Sequence, residues 1–182
     1  MGLGQTLLTI MALMLMGRLI LTVNRTTLET GSTKDVAEYR ITATSLGVSL
    51  LESAHDLAFD EATVDTFLTY SQSSALTAAA SFGKDLGETD MSTFDDIDDV
   101  HGYIRIDTIP NSAIFMSTAT VQYLSVTPPT TITTTTTRTF NKLITVYVTS
   151  PYMVDYATVD STETPVQDTL KFQSVFSYWY FR

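Results

Sequence analysis

The chain has 182 residues, 20 acidic against 10 basic side chains, a net charge of −10 and no cysteine. The length fits one domain with an appendage. The charge disfavours nucleic acid, whose phosphates need Lys and Arg to neutralise them, and disulfide and thiol chemistry are excluded. Threonine is abundant and lysine scarce, a composition that suits β structure and an exported surface.

The chain opens on an apolar run, Leu3 to Val23, with Arg18 as its one charge. As a helix these roughly 21 residues reach about 31 Å, enough to cross a bilayer core. A secretory signal peptide needs a basic region before the apolar run, and nothing basic precedes Arg18. An ordinary signal anchor beginning at Met1 has its positives, Arg18 and Arg25, on the C-terminal side, which directs the rest of the chain to the cytoplasm. If a basic leader precedes Met1 and is removed, the orientation reverses and Arg18 snorkels to the outer interface. The third reading is the one expected here.

Gly17 and Gly31 flank Thr22-Val23-Asn24-Arg25-Thr26-Thr27, so loss of helix is expected within 17–33, with close helix packing at glycine as the alternative. Ser32 and Asp35 suggest a capping-box-like restart. From there Val36, Tyr39, Ala43, Leu46, Leu50, Ala54 and Leu57 recur every three or four residues, one face of an amphipathic helix over 34–57. His55 reads as a satisfied boundary residue.

The start Met1-Gly2-Leu3-Gly4-Gln5-Thr6-Leu7-Leu8, running into an apolar and then an amphipathic helix, resembles a type IV pilin or pseudopilin over about residues 1–58. The resemblance implies cleavage by a prepilin peptidase just before a methylated first residue. It also implies a membrane-embedded precursor and assembly by dedicated machinery into a filament of many copies. Met1, Gln5, Leu7, Leu8, Leu13, Leu15, Arg18 and Leu19 are then the assembly residues. Gln5 stands where the family usually carries Glu; an amide can hydrogen-bond a neighbouring amino terminus but cannot neutralise it. The helix-kinking proline common in the family is absent as well, since no proline precedes Pro110.

The expected organisation is therefore α+β: a helical spine over 1–57, with membrane segment 3–23, and an antiparallel β-rich head over 58–182. Asp60 to Phe82 reads as a loop with a short helix, and Gly83 to Asp99 as an acidic, turn-rich stretch. About five strands follow, in 103–108, 113–126, 139–150, 152–159 and 170–181, with Pro128, Pro129 and Pro151 marking ends or edges. Thr130 to Thr137 is a low-complexity run, read as an exposed extended segment with Thr133, Thr134, Thr135, Thr136 and Thr137 as O-glycosylation candidates. Asn24-Arg25-Thr26 matches an N-glycosylation sequon, in a place where subunits would pack.

Asp95, Asp96, Asp98 and Asp99 repel one another unless something neutralises them. Two readings stand: a solvated acidic turn, or a Ca²⁺ site, though the spacing is not that of an EF-hand. Phe94 to Tyr103 also resembles a segment of some bacterial minor pilins and pseudopilins, and Lys142–Val148 with Asp168–Ser174 resembles the paired late strands of such heads. With only His55 and His101 and no phosphate-cradling Gly loop, no enzyme and no other cofactor is expected. The expected function is that of a structural subunit of an extracellular type IV pilus-like filament. The alternatives are a minor pseudopilin of a type II secretion-like system and a signal-anchored surface binding module.

Overall fold

The computed structural model describes residues 2–110, 113–127, 131–159 and 165–179, by backbone alone at 127, 155–159 and 165–166. It is α+β: one long helix, α1 (Leu3–His55), precedes a five-stranded antiparallel sheet. The strands are β1 (Ile104–Thr108), β2 (Ile114–Thr127), β3 (Thr131–Thr135), β4 (Asn141–Val159) and β5 (Pro165–Ser177). Two compact units divide the chain at residue 40: Met1–Tyr39, and Arg40–Arg182. The helix residues after 40 thus belong with the head.

In the first unit, the loss of helix expected in 17–33 does not occur, nor does a restart at Ser32; the backbone is helical throughout. The β-branched and polar residues that suggested melting are accommodated by bonds back to the preceding turn. The hydroxyls of Thr22, Thr26, Thr27, Thr30 and Thr33 donate to the carbonyls of Arg18, Thr22, Val23, Thr26 and Glu29 at 2.7–2.9 Å, and the Ser32 hydroxyl donates to Glu29 O. Each hydroxyl is satisfied without competing for a backbone N–H. Arg25 and Glu29, one turn apart, add an ion pair at 2.7 Å.

In the second unit, Ala43, Gly47, Leu50 and Ala54 form the buried stripe of the helix. The predicted face is confirmed at Ala43, Leu50 and Ala54, with Leu46 and Leu57 half-buried. Gly47 was not read as part of it. A Cβ there would lie 2.5 Å from the Phe172 ring of β5 and 3.1 Å from Val148 of β4, so only glycine lets the helix approach the sheet this closely. Gly47→Val is expected to destabilise the head by about 1–3 kcal/mol through overpacking; urea unfolding of the full chain in detergent, followed by Trp fluorescence, measures it, and an unchanged midpoint would disprove the close contact. Arg40 pairs with Asp168 of β5 at 2.8 Å, and the Arg105 guanidinium donates to Leu46 O, so charged side chains flank the apolar seam.

β2 lies at the centre of the sheet. Its residues 116–123 pair with β4, which pairs in turn with β5. β1 takes the other side of β2 at 114–118, and β3 takes that same side further along, at 123–127, because Tyr123 faces Lys142 on one side and Thr135 on the other. Alternation sends Phe115, Ser117, Ala119, Val121 and Tyr123 inward from β2, and Lys142, Ile144, Val146, Val148 and Ser150 inward from β4; Ala113, just before β2, is buried as well. Segments 139–150 and 152–159, expected as two strands, are one: the ladder is interrupted by a register shift between Thr149 and Val154 and then resumes. Pro151, which has no N–H to donate, sits in that irregular step. Pro128 and Pro129 lie outside the described residues.

Residues 58–102 close the core. Instead of one short helix they carry four 3₁₀ turns, Glu61–Thr63, Tyr70–Ala75, Ala79–Ser81 and Asp98–Val100. They contribute Phe59, Leu68, Leu76, Phe94, Ile97 and Val100 to the interior. Ala58 bridges the acidic segment through hydrogen bonds with Asp95 O and Ile97 N, both 3.0 Å. The acidic segment is thereby stitched to the end of the helix.

Candidate functional site: an uncovered apolar helix and a buried acidic cluster

Two features stand out, one in each unit. The first is the apolar run. Its most apolar stretch has a mean hydropathy of 2.0, and none of that stretch is buried within the chain. Leu7, Leu8, Leu13, Leu15 and Leu19 expose 60–71% of their surface, and Ile10, Met11, Met14, Met16 and Ile20 fill the angles between them. A helix apolar on all sides is stable only in lipid or among other apolar surfaces. The helix is long and apolar enough to cross a membrane. Thr6 and Thr9 do not spoil it, because their hydroxyls donate to Leu3 O and Thr6 O at 2.9 Å. Gln5 and Arg18 are exposed, and Met1 lies outside the described residues.

The second feature is where the acidic segment ends up. Asp96, Asp98 and Asp99 are not a solvated turn; each is at most 3% exposed. Nor do the four carboxylates converge on one point. Asp98 Oδ1 turns inward to Lys142 Nζ at 2.5 Å. Asp96 Oδ1 accepts from the N–H groups of Asp98 and Asp99, tying the 3₁₀ turn. Asp95 instead groups with Glu61 and Asp96, and with Glu88 and Asp99. The carboxylates placed to share a divalent cation therefore include Glu61 and Glu88 and exclude Asp98. A bound Ca²⁺ would raise the melting temperature of the head, and a chelator would lower it again; a melt with and without each checks this.

Lys142 is fully buried, as is Asp60. The ammonium donates to Asp98 Oδ1, to Asp60 Oδ2 at 2.8 Å and to Phe59 O at 2.6 Å. It lies 4.5, 5.2 and 5.4 Å from the ring centres of Phe59, Phe82 and Tyr123. Asp60 is held further by Thr77 N and Ala62 N, with Tyr123 Oη 3.2 Å away. Burial alone would raise the Asp60 carboxyl, but the Lys142 charge and these donors hold it below its ordinary value. One ammonium cannot serve two carboxylates equally: Asp98 is pushed up to about 7 by burial and by the neighbouring Asp60, against the pull of Lys142. Its Oδ2 is buried and has no hydrogen-bond partner among the described residues.

Asp96 is pushed up to about 7 by burial and by the charge of Asp98, and Asp99 to about 7 by burial, by Asp96 and by Glu88. A carboxyl that keeps its proton to about pH 7 when folded, but titrates near 3.8 when unfolded, binds more protons in the folded state between those values. Stability therefore falls as pH rises from about 4 to 7 and is flat above. Because the two groups share one field, the loss is expected to be on the order of 2–4 kcal/mol in total. Urea unfolding of the full chain in detergent at pH 5 and pH 8 measures it; greater stability at pH 8 would refute it.

The remaining candidates fall as follows. His55 Nε2 lies 2.7 Å from Ser174 Oγ and its ring packs on Phe176, while burial lowers its pKa against the opposing charge of Asp56. It is a satisfied boundary residue, as expected. His101 Nδ1 sits 3.0–3.1 Å from both Val121 O and Val121 N, filling the gap between β1 and β3 on the edge of β2. Thr133, Thr134, Thr136 and Thr137 are exposed and Thr135 half-buried; the extended reading of this run holds over β3, Thr131–Thr135, the chain bends at 136–137, and Thr130 lies outside the described residues. Tyr178 belongs to the core, its hydroxyl accepting from Leu68 N at 3.0 Å.

Lys142 and Asp60 were missed as site residues. The signal for Lys142 was legible: it alternates with Ile144, Val146 and Val148 and so had to face the core. Asp60 had none, because its partner lies 82 residues away. The fold class these features define is an α+β chain with an uncovered apolar N-terminal helix and a head that has its own core. Comparison with family models, with curated proteins and with solved structures finds no match.

Proposed function

We propose that the chain is the structural subunit of an extracellular type IV pilus-like filament, with the apolar helix polymerising among copies of itself and the β head exposed. What carries this reading is the pairing of two observations. Among the described residues, none of the most apolar stretch of the helix is buried, while the second unit has a core of its own. Before assembly the same segment lies in the membrane, where the Thr6 and Thr9 hydroxyls stay bonded to the helix backbone. A prepilin peptidase and a membrane assembly machine are the implied partners, and the Thr133–Thr137 stretch becomes outer surface open to glycosylation.

Gln5 favours a second reading, a minor pseudopilin, because an amide at that position cannot neutralise a neighbouring amino terminus. Electron microscopy of sheared surface material, with antibody against the head, separates the two. Abundant labelled fibres support the main subunit. A chain confined to the membrane fraction, with no labelled fibres, overturns that role.

A further inference from the structure

We infer that Lys142 and Asp98 are joined by an intramolecular amide bond, formed within the folded head with Asp60 as the proton carrier. The amine and its acceptor are already in place: Lys142 Nζ is 2.5 Å from Asp98 Oδ1. That is shorter than the ~2.7–2.9 Å of an ordinary ammonium–carboxylate bond. The pocket is dry, with Lys142 and Asp60 side chains fully buried and that of Asp98 5% exposed, beneath the rings of Phe59, Phe82 and Tyr123. Water, which would stabilise the separated charges and compete for the carbon, is excluded.

The two carboxylates are not equivalent. Asp60 is fixed by Lys142, by Thr77 N and Ala62 N and by the Thr77 hydroxyl, which stabilises its anion and makes it a poor acceptor for a nucleophile. Asp98 has one oxygen on Lys142 and the other, Oδ2, without a hydrogen-bond partner among the described residues, so its carboxyl is the less stabilised of the two.

The step balances without an oxidant or a co-reactant. A proton passes from the Lys142 ammonium to the Asp98 carboxylate, leaving a neutral amine beside a carboxylic acid. The nitrogen lone pair forms the Nζ–Cγ bond, and Asp60 takes a second proton from nitrogen and delivers it to the leaving oxygen. The Cγ–Oδ1 bond then breaks and water departs, because Oδ1 is the oxygen that faces the ammonium and collects both protons. One ammonium and one carboxylate become an amide and water, the total charge is unchanged, and Asp60 returns to its starting state with its backbone donors still in place. The bond would tie the start of β4 to the acidic turn that closes the core. It is independent of the filament reading, since all three residues lie in the head.

The test is a tryptic map of the full-length chain. Trypsin does not cleave after an acylated lysine, so the expected product is peptide 85–105 joined to peptide 139–171, about 18 Da lighter than their sum. Asp98→Asn should form the same link with loss of ammonia, about 17 Da, and Lys142→Met should give only unlinked peptides. Asp60→Asn should leave the chain unlinked while its thermal melt stays cooperative. Cleavage after Lys142 in the wild-type chain, with peptide 85–105 free, overturns the bond. A link to peptide 41–84, which holds Asp60, overturns the choice of Asp98, and a fully linked Asp60→Asn overturns the proton carrier.

Discussion

Leu13→Asp is expected to abolish filament assembly while leaving the head folded. Leu13 is 69% exposed in the middle of the apolar run, with Ile10, Met14 and Met16 around it. A carboxylate there costs about 2.5–3.5 kcal/mol on entering the membrane, and at least as much among packed apolar helices that offer it no partner. Every subunit of a homopolymer repeats that cost at the same contact, so partial assembly is not expected. The head is a separate compact unit, so its melting temperature should stay within ~1 °C of wild type; a change in the apolar run that also unfolded the head would point to global misfolding instead. Fibre counts by electron microscopy, together with the fraction of chain in the membrane, give the result. Wild-type fibre yield would eliminate the bundle reading of this helix.

Lys142→Met is expected to have the largest effect on the stability of the head. Methionine keeps an unbranched apolar stem, one atom shorter, but removes the only cation near Asp60 and Asp98 among the described residues, together with its contacts over the Phe59 and Phe82 rings. Breaking a buried pair by deleting one partner costs about 3–5 kcal/mol, a large share of the ~5–15 kcal/mol that a domain has in total. The corresponding fall in melting temperature is on the order of 10–20 °C. Two carboxylates are stranded here instead of one, so the loss is placed at the upper end. Pairing Lys142→Met with Asp98→Leu should recover part of the loss, because the carboxyl with the orphaned oxygen is then gone as well. A single substitution that costs less than ~1 kcal/mol would show that Lys142 is not the cation holding this cluster.

These two residues also mark how far the sequence could be read. The apolar run was legible because it obeys a rule needing no partner: about twenty consecutive apolar residues must leave water, whatever they pack against. The amphipathic stripe of Ala43, Leu50 and Ala54 and the strands of the head were legible for the same reason, since periods near 3.6 and 2 are local properties. Where local chemistry competed with itself, the reading failed. The β-branched stretch after Gly17 suggested melting, but each threonine hydroxyl finds a carbonyl one turn back, and the helix persists.

What the chain by itself determined is therefore the α+β fold class and the apolar run at its start; the expected boundary between spine and head at 57/58 is not where the structure divides, since the helix from Arg40 onward belongs with the head. Only the tertiary structure decided the fate of the acidic segment. As a string, Asp95, Asp96, Asp98 and Asp99 are four charges that belong in water or around a cation. Folded, Asp98 meets a lysine 44 residues later in the chain, and Asp60 reaches the same lysine from 82 residues before it. The physical reason is that a carboxylate's environment is set by neighbours distant in sequence, whereas the pressure on an apolar run to leave water is set by the run itself.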